Sequence, residues 1–474
     1  MREFAVESGW SGSGLLLSHR RRLRIQHDCG QRDAKEHPPR RELQQMTTSK
    51  RCAIVGLGLR SKMYATAILG DRSSNAELVG LCDINSTRMR AYNELFAREF
   101  GTSPVPAYHP NDFLQMMRER DVEVVIVTSV DRTHHRYIVE ALRAGCDVVT
   151  EKPLTIDAPR CQAIVDAVKE TGRQVRVCFN YRYAARNTRV KELLDQRVVG
   201  DVLSVHFEWL LDTTHGADYF RRWHRDKRNS GGLMIHKASH HFDLVNWWLG
   251  ARPEAVFGFG RLAFYGRDNA EARGVARFYD RGTGNEAARE DPFALDLQSD
   301  PRLKALYLDA EHEDGYLRDQ SVFSDGISIE DDMAAVVRYS TGATLTYHLT
   351  AYSPWEGYRV GFNGTEGRLE LEAIERSHVD PSPEAGIDAV ASERITVQRL
   401  WQRAEIVPFE AEDGSHAGAD ARLLEDLFGT GRGTDALGRA STHLDGVFAI
   451  LPGIGANISF ASGLPVDLTR LVQL

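Results

Sequence analysis

The sequence predicts an α/β protein in two parts: a doubly wound parallel sheet, then an α+β domain built on a large, mostly antiparallel open sheet. Three observations carry this. From residue 51 to about 177, apolar strand-like runs alternate with helical stretches, the order that builds a parallel sheet covered on both faces. After 177 apolar residues alternate singly with polar ones, as in antiparallel strands with one solvated face. And the first strand runs straight into Gly56-Leu57-Gly58, a tight turn opening a helix, as in nucleotide-binding Rossmann sheets.

Taken in order, strands are expected at 52–56, 77–82, 122–127 and up to Thr150, with helices at 59–69, 86–98, 112–118, 132–144 and 157–171. Gly145 stops the fourth of these helices, since glycine adopts the left-handed conformation of a helix end at no steric cost. The second part offers strands at 202–211, 255–262, 334–339, 344–349, 359–362 and 368–371, with 340–343 as a hairpin turn. One strong helix, 232–249, interrupts them. Residues 437–462 read as a final helix kinked or interrupted at Pro452, and 463–467 as a closing strand. The domains are then 50–177 and 178–474. Within the second, 264–328 is long, acidic and without clear periodicity, either a lid or an insertion draped on the surface. Residues 1–45 carry Arg20-Arg21-Arg22 after a short apolar run, the wrong order for a secretory or twin-arginine signal, and are expected to be disordered or an over-extended gene start.

Composition bounds the function. A chain of 474 residues, 42% hydrophobic and 27% charged, is globular and too long for one core. Its net charge of −8 argues against nucleic acid or an anionic membrane as partner, and no apolar run approaches the roughly 18–20 residues that span a bilayer. The six cysteines (Cys29, Cys52, Cys82, Cys146, Cys161, Cys178) are scattered without a Cys-x-x-Cys pair, which fits a reduced, cytoplasmic setting.

The glycine turn has a stated chemistry. Gly56 permits the turn, Gly58 lets backbone N–H groups of Leu59 and Arg60 approach a pyrophosphate, and the helix N-terminus favours its charge. The third position is Ser61 rather than Gly or Ala. Asp83 ends the second strand, where a carboxylate binds both ribose hydroxyls and repels a 2′-phosphate. NAD is therefore favoured, with Arg60 and Arg88 keeping NADP as the alternative. Ser129-Val-Asp-Arg-Thr-His134 follows the next strand, placing Ser129 and His134 on the same edge, and Glu151-Lys152-Pro153 ends the one after. A second cluster, Gly231 to Asp243, puts His236, His240 and Asp243 on one helix face with Lys237 at its edge. Two histidines four apart could hold a metal, but the Glu of a His-Glu-x-x-His site is missing and no metal is expected. Trp209, Tyr219, Trp223 and His224 lead into this cluster, with Tyr181 and Tyr183 upstream, and such aromatics suit pyranose rings.

In this order, Gly-x-Gly-x-Arg, Asp83, Ser-Val-Asp-x-x-His134, Glu-Lys-Pro and the Gly-Gly…His…Asp helix resemble the Gfo/Idh/MocA oxidoreductase family from about Lys50 to the C-terminus. The resemblance implies NAD(P) binding, including Glu151, and a homodimer or homotetramer formed through the C-terminal sheet. Lys152 matches the family's lysine and His240 its helix histidine, while Asn180-Tyr-Arg-Tyr183 matches a loop whose side chains (Tyr181, Arg182) reach substrate. The position commonly held by an aspartate in the sugar dehydrogenases is His236 here.

Together these imply oxidation of a secondary hydroxyl of a sugar, cyclitol or sugar derivative. Lys152 would stabilise the developing oxyanion, His240 accept the proton and His236 relay it, with Lys237 and Trp223 contacting substrate. Two other classes stay open: NAD-dependent glycoside cleavage by transient C3 oxidation and elimination, and a non-catalytic sugar- and dinucleotide-binding regulator.

Overall fold

A computed structural model describes residues 49–70, 75–379, 392–410, 418–429 and 435–474. The expectation for 1–45 lies outside them.

The first sheet contains β1 (Lys50–Val55), β2 (Ala76–Cys82), β3 (Ala107–Tyr108), β4 (Val124–Val127), β5 (Asp147–Thr150) and β6 (Val175–Val177). All neighbours are parallel, in the order β3-β2-β1-β4-β5-β6. Chain order reverses between β1 and β4, so the ligand crevice of such a sheet opens at their carboxyl ends. Burial on both faces explains the unbroken apolar runs: Ala53 and Ile54 are wholly inaccessible, Val125 and Ile126 likewise. β3 and β6 have too few residues to show a periodicity. The helices between strands are closed by local chemistry. Asn85 and Asp157 cap Ser86–Phe100 and Ala158–Thr171, which end at Gly101 and Gly172, both at positive φ.

The second sheet contains β7 (Val202–Asp212), β8 (Pro253–Arg261), β9 (Asp332–Tyr339), β10 (Thr344–Ser353), β11 (Glu356–Gly364), β12 (Gly367–Arg376), β13 (Ser392–Arg399), β14 (Glu405–Val407) and β15 (Val466–Asp467). They lie in the order β14-β13-β12-β11-β7-β10-β9-β8-β15, and only β7 and β10 pair in parallel. In β7, Val205, Phe207, Trp209 and Leu211 are buried while His206 and Glu208 are exposed. The buried face meets the helix Ala238–Leu249, where Phe242 packs on Tyr347 and His241 stacks on Trp209. The open face bears the exposed Phe259 and Val336 beside a hollow of about 620 Å³.

Three sequence expectations change, and one helix falls where the sequence reading placed no element. The helix expected at 232–249 is two pieces, Leu233–His236 and Ala238–Leu249, broken at Lys237. At the break the His236 carbonyl turns to side chains, accepting from Lys152 Nζ at 3.0 Å and Ser239 Oγ at 3.3 Å. The last helix, His443–Ser462, is continuous through Pro452 and begins at a Thr442–Asp445 capping box. By length and composition it is apolar enough to cross a membrane, yet it is mostly buried, against β8 and the helix Ala238–Leu249. The helix Ala419–Phe428, far down the chain, joins the core of the first sheet: Leu423, Leu424 and Leu427 cluster with Leu57, Tyr64 and Ile68.

The third changed expectation is the 264–328 insertion, which is not draped on the surface. Asp331 ties its start, accepting from the backbone of Ala263, Phe264 and Tyr265 at 2.7–2.8 Å. Arg225 ties its end, donating to Ser324 Oγ and the Asp325 carbonyl, both at 2.8 Å. Between them the turn Lys304–Leu308 and the helix Glu311–Asp314 reach the first sheet. Glu313 accepts from the amides of Ser86 and Thr87 at 2.6 and 2.9 Å, capping the helix there.

Candidate active site

A cavity of about 830 Å³ opens at the carboxyl ends of β1, β4 and β5 and is roofed by the 231–240 segment and the insertion. At one end lies the glycine turn. Gly56 has φ +88°, and a Cβ there would stand 2.5 Å from Ser129 Cα, so only glycine lets the two loops close on each other. Asp83 Oδ2 accepts from Leu57 N at 2.6 Å and Oδ1 accepts from Asn85 N at 2.9 Å, locking the acid against the turn. Burial raises its pKa, opposed by Arg88 and by the Leu57 amide. Ser61 is inaccessible and donates to the Gly58 carbonyl at 2.7 Å, which is what the small third position does here.

The two arginines are already engaged. Arg88 donates to Asp83 at 3.0 Å, to Asp314 of the insertion at 2.8 Å and to the Leu306 carbonyl at 3.0 Å. Arg60 reaches Glu151 with Nε at 2.6 Å and Asp420 with both terminal nitrogens at 3.0 Å. Tyr307 of the insertion touches the cradle itself: its hydroxyl accepts from Leu59 N at 3.1 Å. Turn, buried acid and inward-facing amide suit a dinucleotide. Gly56, Gly58, Leu59 and Asp83 would hold it, with Ser129 on the facing loop.

At the other end Lys152, joined to Pro153 by a cis peptide bond, aims across the crevice. Its Nζ donates to the His236 carbonyl at 3.0 Å and lies 3.1 Å from His236 Nε2. His236 Nδ1 lies 2.6 Å from Asp131 Oδ2. With Nδ1–H given to Asp131, Nε2 is the acceptor that faces the ammonium. Burial and then the Lys152 charge keep His236 far below the usual histidine range, and burial raises Asp131. Burial brings Lys152 down to about 8, opposed by Asp131 and Glu151. The carboxylate missing at position 236 is thus supplied by Asp131, one loop away. Asp131 escaped the sequence reading although it lies inside the Ser129–His134 motif. His240 lines the same cavity, stacked on Tyr181 with ring centroids 4.5 Å apart. Tyr219, Trp223 and His224 line it too, and Lys237 Nζ sits 4.5 Å above the ring of the buried Trp209.

Of the expected site residues, Arg182 lies outside the cavity lining, while His134 and Glu151 line it with their polar atoms held by the protein. Arg182 is 2% exposed and donates to Asp243 at 2.8 and 2.5 Å and to Asp445 at 3.0 Å, a buried ion pair that also explains Asp243. His134 is 1% exposed, its ring nitrogens 2.9 Å from the Pro153 carbonyl and 3.0 Å from that of Ser129, so it fastens two loops. Glu151 is held by Arg60 and by the Tyr64 hydroxyl at 2.8 Å, which makes it an anchor behind the cradle. Tyr183 bonds Asp426 at 2.7 Å, outside the site.

A dinucleotide cradle facing a lysine and two histidines defines an oxidoreductase of the nicotinamide type. Residues 50–179 match the family model described as "Oxidoreductase family, NAD-binding Rossmann fold", and 191–437 match "Oxidoreductase family, C-terminal alpha/beta domain". The chain belongs to the Gfo/Idh/MocA oxidoreductase family. It is 34% identical over 435 residues to an oxidoreductase named YteT from Bacillus subtilis (strain 168), covering 89% of this chain and 99% of that one. The scyllo-inositol 2-dehydrogenase (NAD(+)) of the same organism is 26% identical over 265 residues, 53% of this chain and 70% of the relative. Among solved structures, the aldose-aldose oxidoreductase from Caulobacter crescentus complexed with glycerol superposes with a TM-score of 0.56 at 18% identity, over 88% of this chain and 99% of that one. That likeness concerns the fold.

Proposed function

We propose that this chain is an NAD-dependent dehydrogenase that oxidises a secondary hydroxyl of a sugar, cyclitol or sugar derivative. The reading rests on one observation: the glycine cradle with Asp83 and the group Lys152, His236, His240 share a single cavity. Bound NAD supplies the hydride acceptor. Lys152 has three N–H donors and spends two on His236, which leaves one for a substrate hydroxyl oxygen. There its charge stabilises the developing oxyanion. His240 takes the hydroxyl proton, with Tyr181 stacked beneath it fixing the ring. Asp131 holds the His236 tautomer, and His236 holds Lys152. NAD is preferred over NADP because Arg60 and Arg88 are each bound by two carboxylates, leaving Asp83 and Asp314 to repel a 2′-phosphate. The open sheet face, with Phe259 and Val336 exposed, pairs copies of the chain into a dimer or tetramer, which light scattering would test.

A fluorescence screen for NADH formation with NAD and a panel of polyols and sugars tests the reading, and absence of turnover with every member would overturn it. One observation supports a second reading. The cavity holds two proton-carrying groups, His240 and the Asp131–His236–Lys152 chain, where simple alcohol oxidation needs one. Glycoside cleavage would use the extra one: with NAD as the transient acceptor of the C3 hydride, the C2 hydrogen becomes acidic, elimination expels the aglycone, water adds across the resulting double bond, and the hydride returns to C3. Aglycone release without net NADH would identify it.

A further inference from the structure

Lys237 is 3% exposed, borders the cavity and forms no ion pair among the described residues. Among the described residues its ammonium hydrogen-bonds only the Tyr181 hydroxyl, at 3.4 Å, and the Trp209 ring lies beneath it. Two carboxylates have fields that reach it, Glu356 and Glu375, but each is committed elsewhere. Glu356 is paired with His215 at 2.6 Å and Glu375 with Arg186. A buried ammonium with no carboxylate in contact is costly to keep charged, and such groups cluster at functional sites.

The cavity's other wall has the same bias. Asp218 is shared by three arginines: Arg318 at 2.7 Å, Arg222 at 3.0 Å and Arg221 at 3.5 Å. Arg222 borders the cavity. It hydrogen-bonds through Nε alone, to the Asp218 carbonyl at 3.2 Å, so its terminal nitrogens donate to nothing among the described residues. Around Lys237 and Asp218, cations therefore outnumber the carboxylates in contact with them.

We propose that the substrate is a sugar acid whose carboxylate is bound by Lys237, with Arg222 adding to the attraction. This rests on the dehydrogenase reading and narrows it to uronic acids or their glycosides. A planar monoanion suits a single ammonium framed by the Trp209 and Tyr181 rings, and the aromatic side chains that line the cavity, Tyr181, Tyr219 and Trp223, receive the ring's C–H face.

The test compares D-glucuronate and D-galacturonate with D-glucose, D-galactose and the two hexose 6-phosphates, using the full chain with NAD. The acids should be oxidised with kcat/KM about 100-fold above the neutral sugars, the order expected when a buried charge gains its partner. Lys237→Met should collapse that ratio, and Lys237→Arg, which keeps the charge, should preserve most of it. Calorimetry of the same sugars with the NADH-loaded protein supplies a second readout should turnover be slow or Lys237→Met fold poorly. Neutral sugars oxidised or bound as well as the acids would overturn the proposal while leaving the dehydrogenase reading intact. So would a preference for the 6-phosphates, or an acid preference that survives Lys237→Met. No NADH from any sugar, with acids still bound selectively through Lys237, would instead defeat the dehydrogenase reading alone.

Discussion

Around the glycine turn each arginine sits between two carboxylates, Arg88 between Asp83 and Asp314 and Arg60 between Glu151 and Asp420. Around the 236–240 turn the proportions invert, with three arginines on Asp218 and Lys237 without an ion pair among the described residues. The first arrangement cancels side-chain charge and leaves backbone amides and shape to recognise a dinucleotide. The second keeps charge in reserve for whatever enters. A single cavity can thus hold a common cofactor by geometry and choose its substrate by electrostatics.

The comparison can be broken at four points, the first being the reacting lysine. Lys152→Ala should lower kcat/KM about 10³-fold while NAD affinity, measured by calorimetry, stays within a few-fold. Equal losses in both would mean that the two ends are not separable. Next is the support behind it. Asp131→Asn should cost about 30- to 100-fold in kcat and move the pH profile. In the proposed mechanism Lys152 acts as an ammonium, and burial brings its pKa down to about 8, so activity should fall as pH rises through that value. Asp131 raises that pKa, and its neutralisation should bring the fall to lower pH. A profile unmoved by the substitution would remove Asp131 from the chain.

Effects at the cofactor end should be smaller. Asp314→Asn frees Arg88 from one of its two acids, so NADP should gain on NAD by about tenfold in kcat/KM, roughly 1.4 kcal/mol. Unchanged selectivity would show that Asp83 alone sets it. The smallest expected change belongs to Tyr307→Phe. The Tyr307 hydroxyl occupies the Leu59 N–H that a pyrophosphate would use, so its removal should tighten NAD by about two- to fivefold, one ordinary hydrogen bond. Weaker binding would instead make Tyr307 a contact to the cofactor.

What could be read in the sequence follows from what is local. Strands β1, β2, β4 and β5 announce themselves because burial on two faces demands unbroken apolar runs. Caps at Asn85 and Asp157 and stops at Gly101 and Gly172 act within a few residues. Lys152, His236, Lys237 and His240 were legible as candidates, because each lies in a dense polar motif beside a strand or on a helix. Their partners were not, since the pairings are distant: His236 with Asp131, Arg60 with Asp420, Arg88 with Asp314. Arg182 misled for the same reason, its motif placing it near substrate while Asp243 and Asp445 draw it inward. The insertion was opaque because it is held by side-chain hydrogen bonds and aromatic contacts such as Phe264 on Tyr352, which leave no periodic trace.

The clasp of Arg60 on Asp420 bears on how this molecule could be taken apart. Residue 60 opens the first helix after the glycine turn, and residue 420 belongs to a helix whose leucines fill the core beneath that turn. The nucleotide-binding half is therefore completed by a helix that belongs, in sequence, to the C-terminal half. Cutting the gene after β6 would yield a piece lacking one wall of its own interior. A grafted substrate module would have to bring its own equivalent of 419–428. In this protein the familiar division into interchangeable halves holds along the sequence and fails in space.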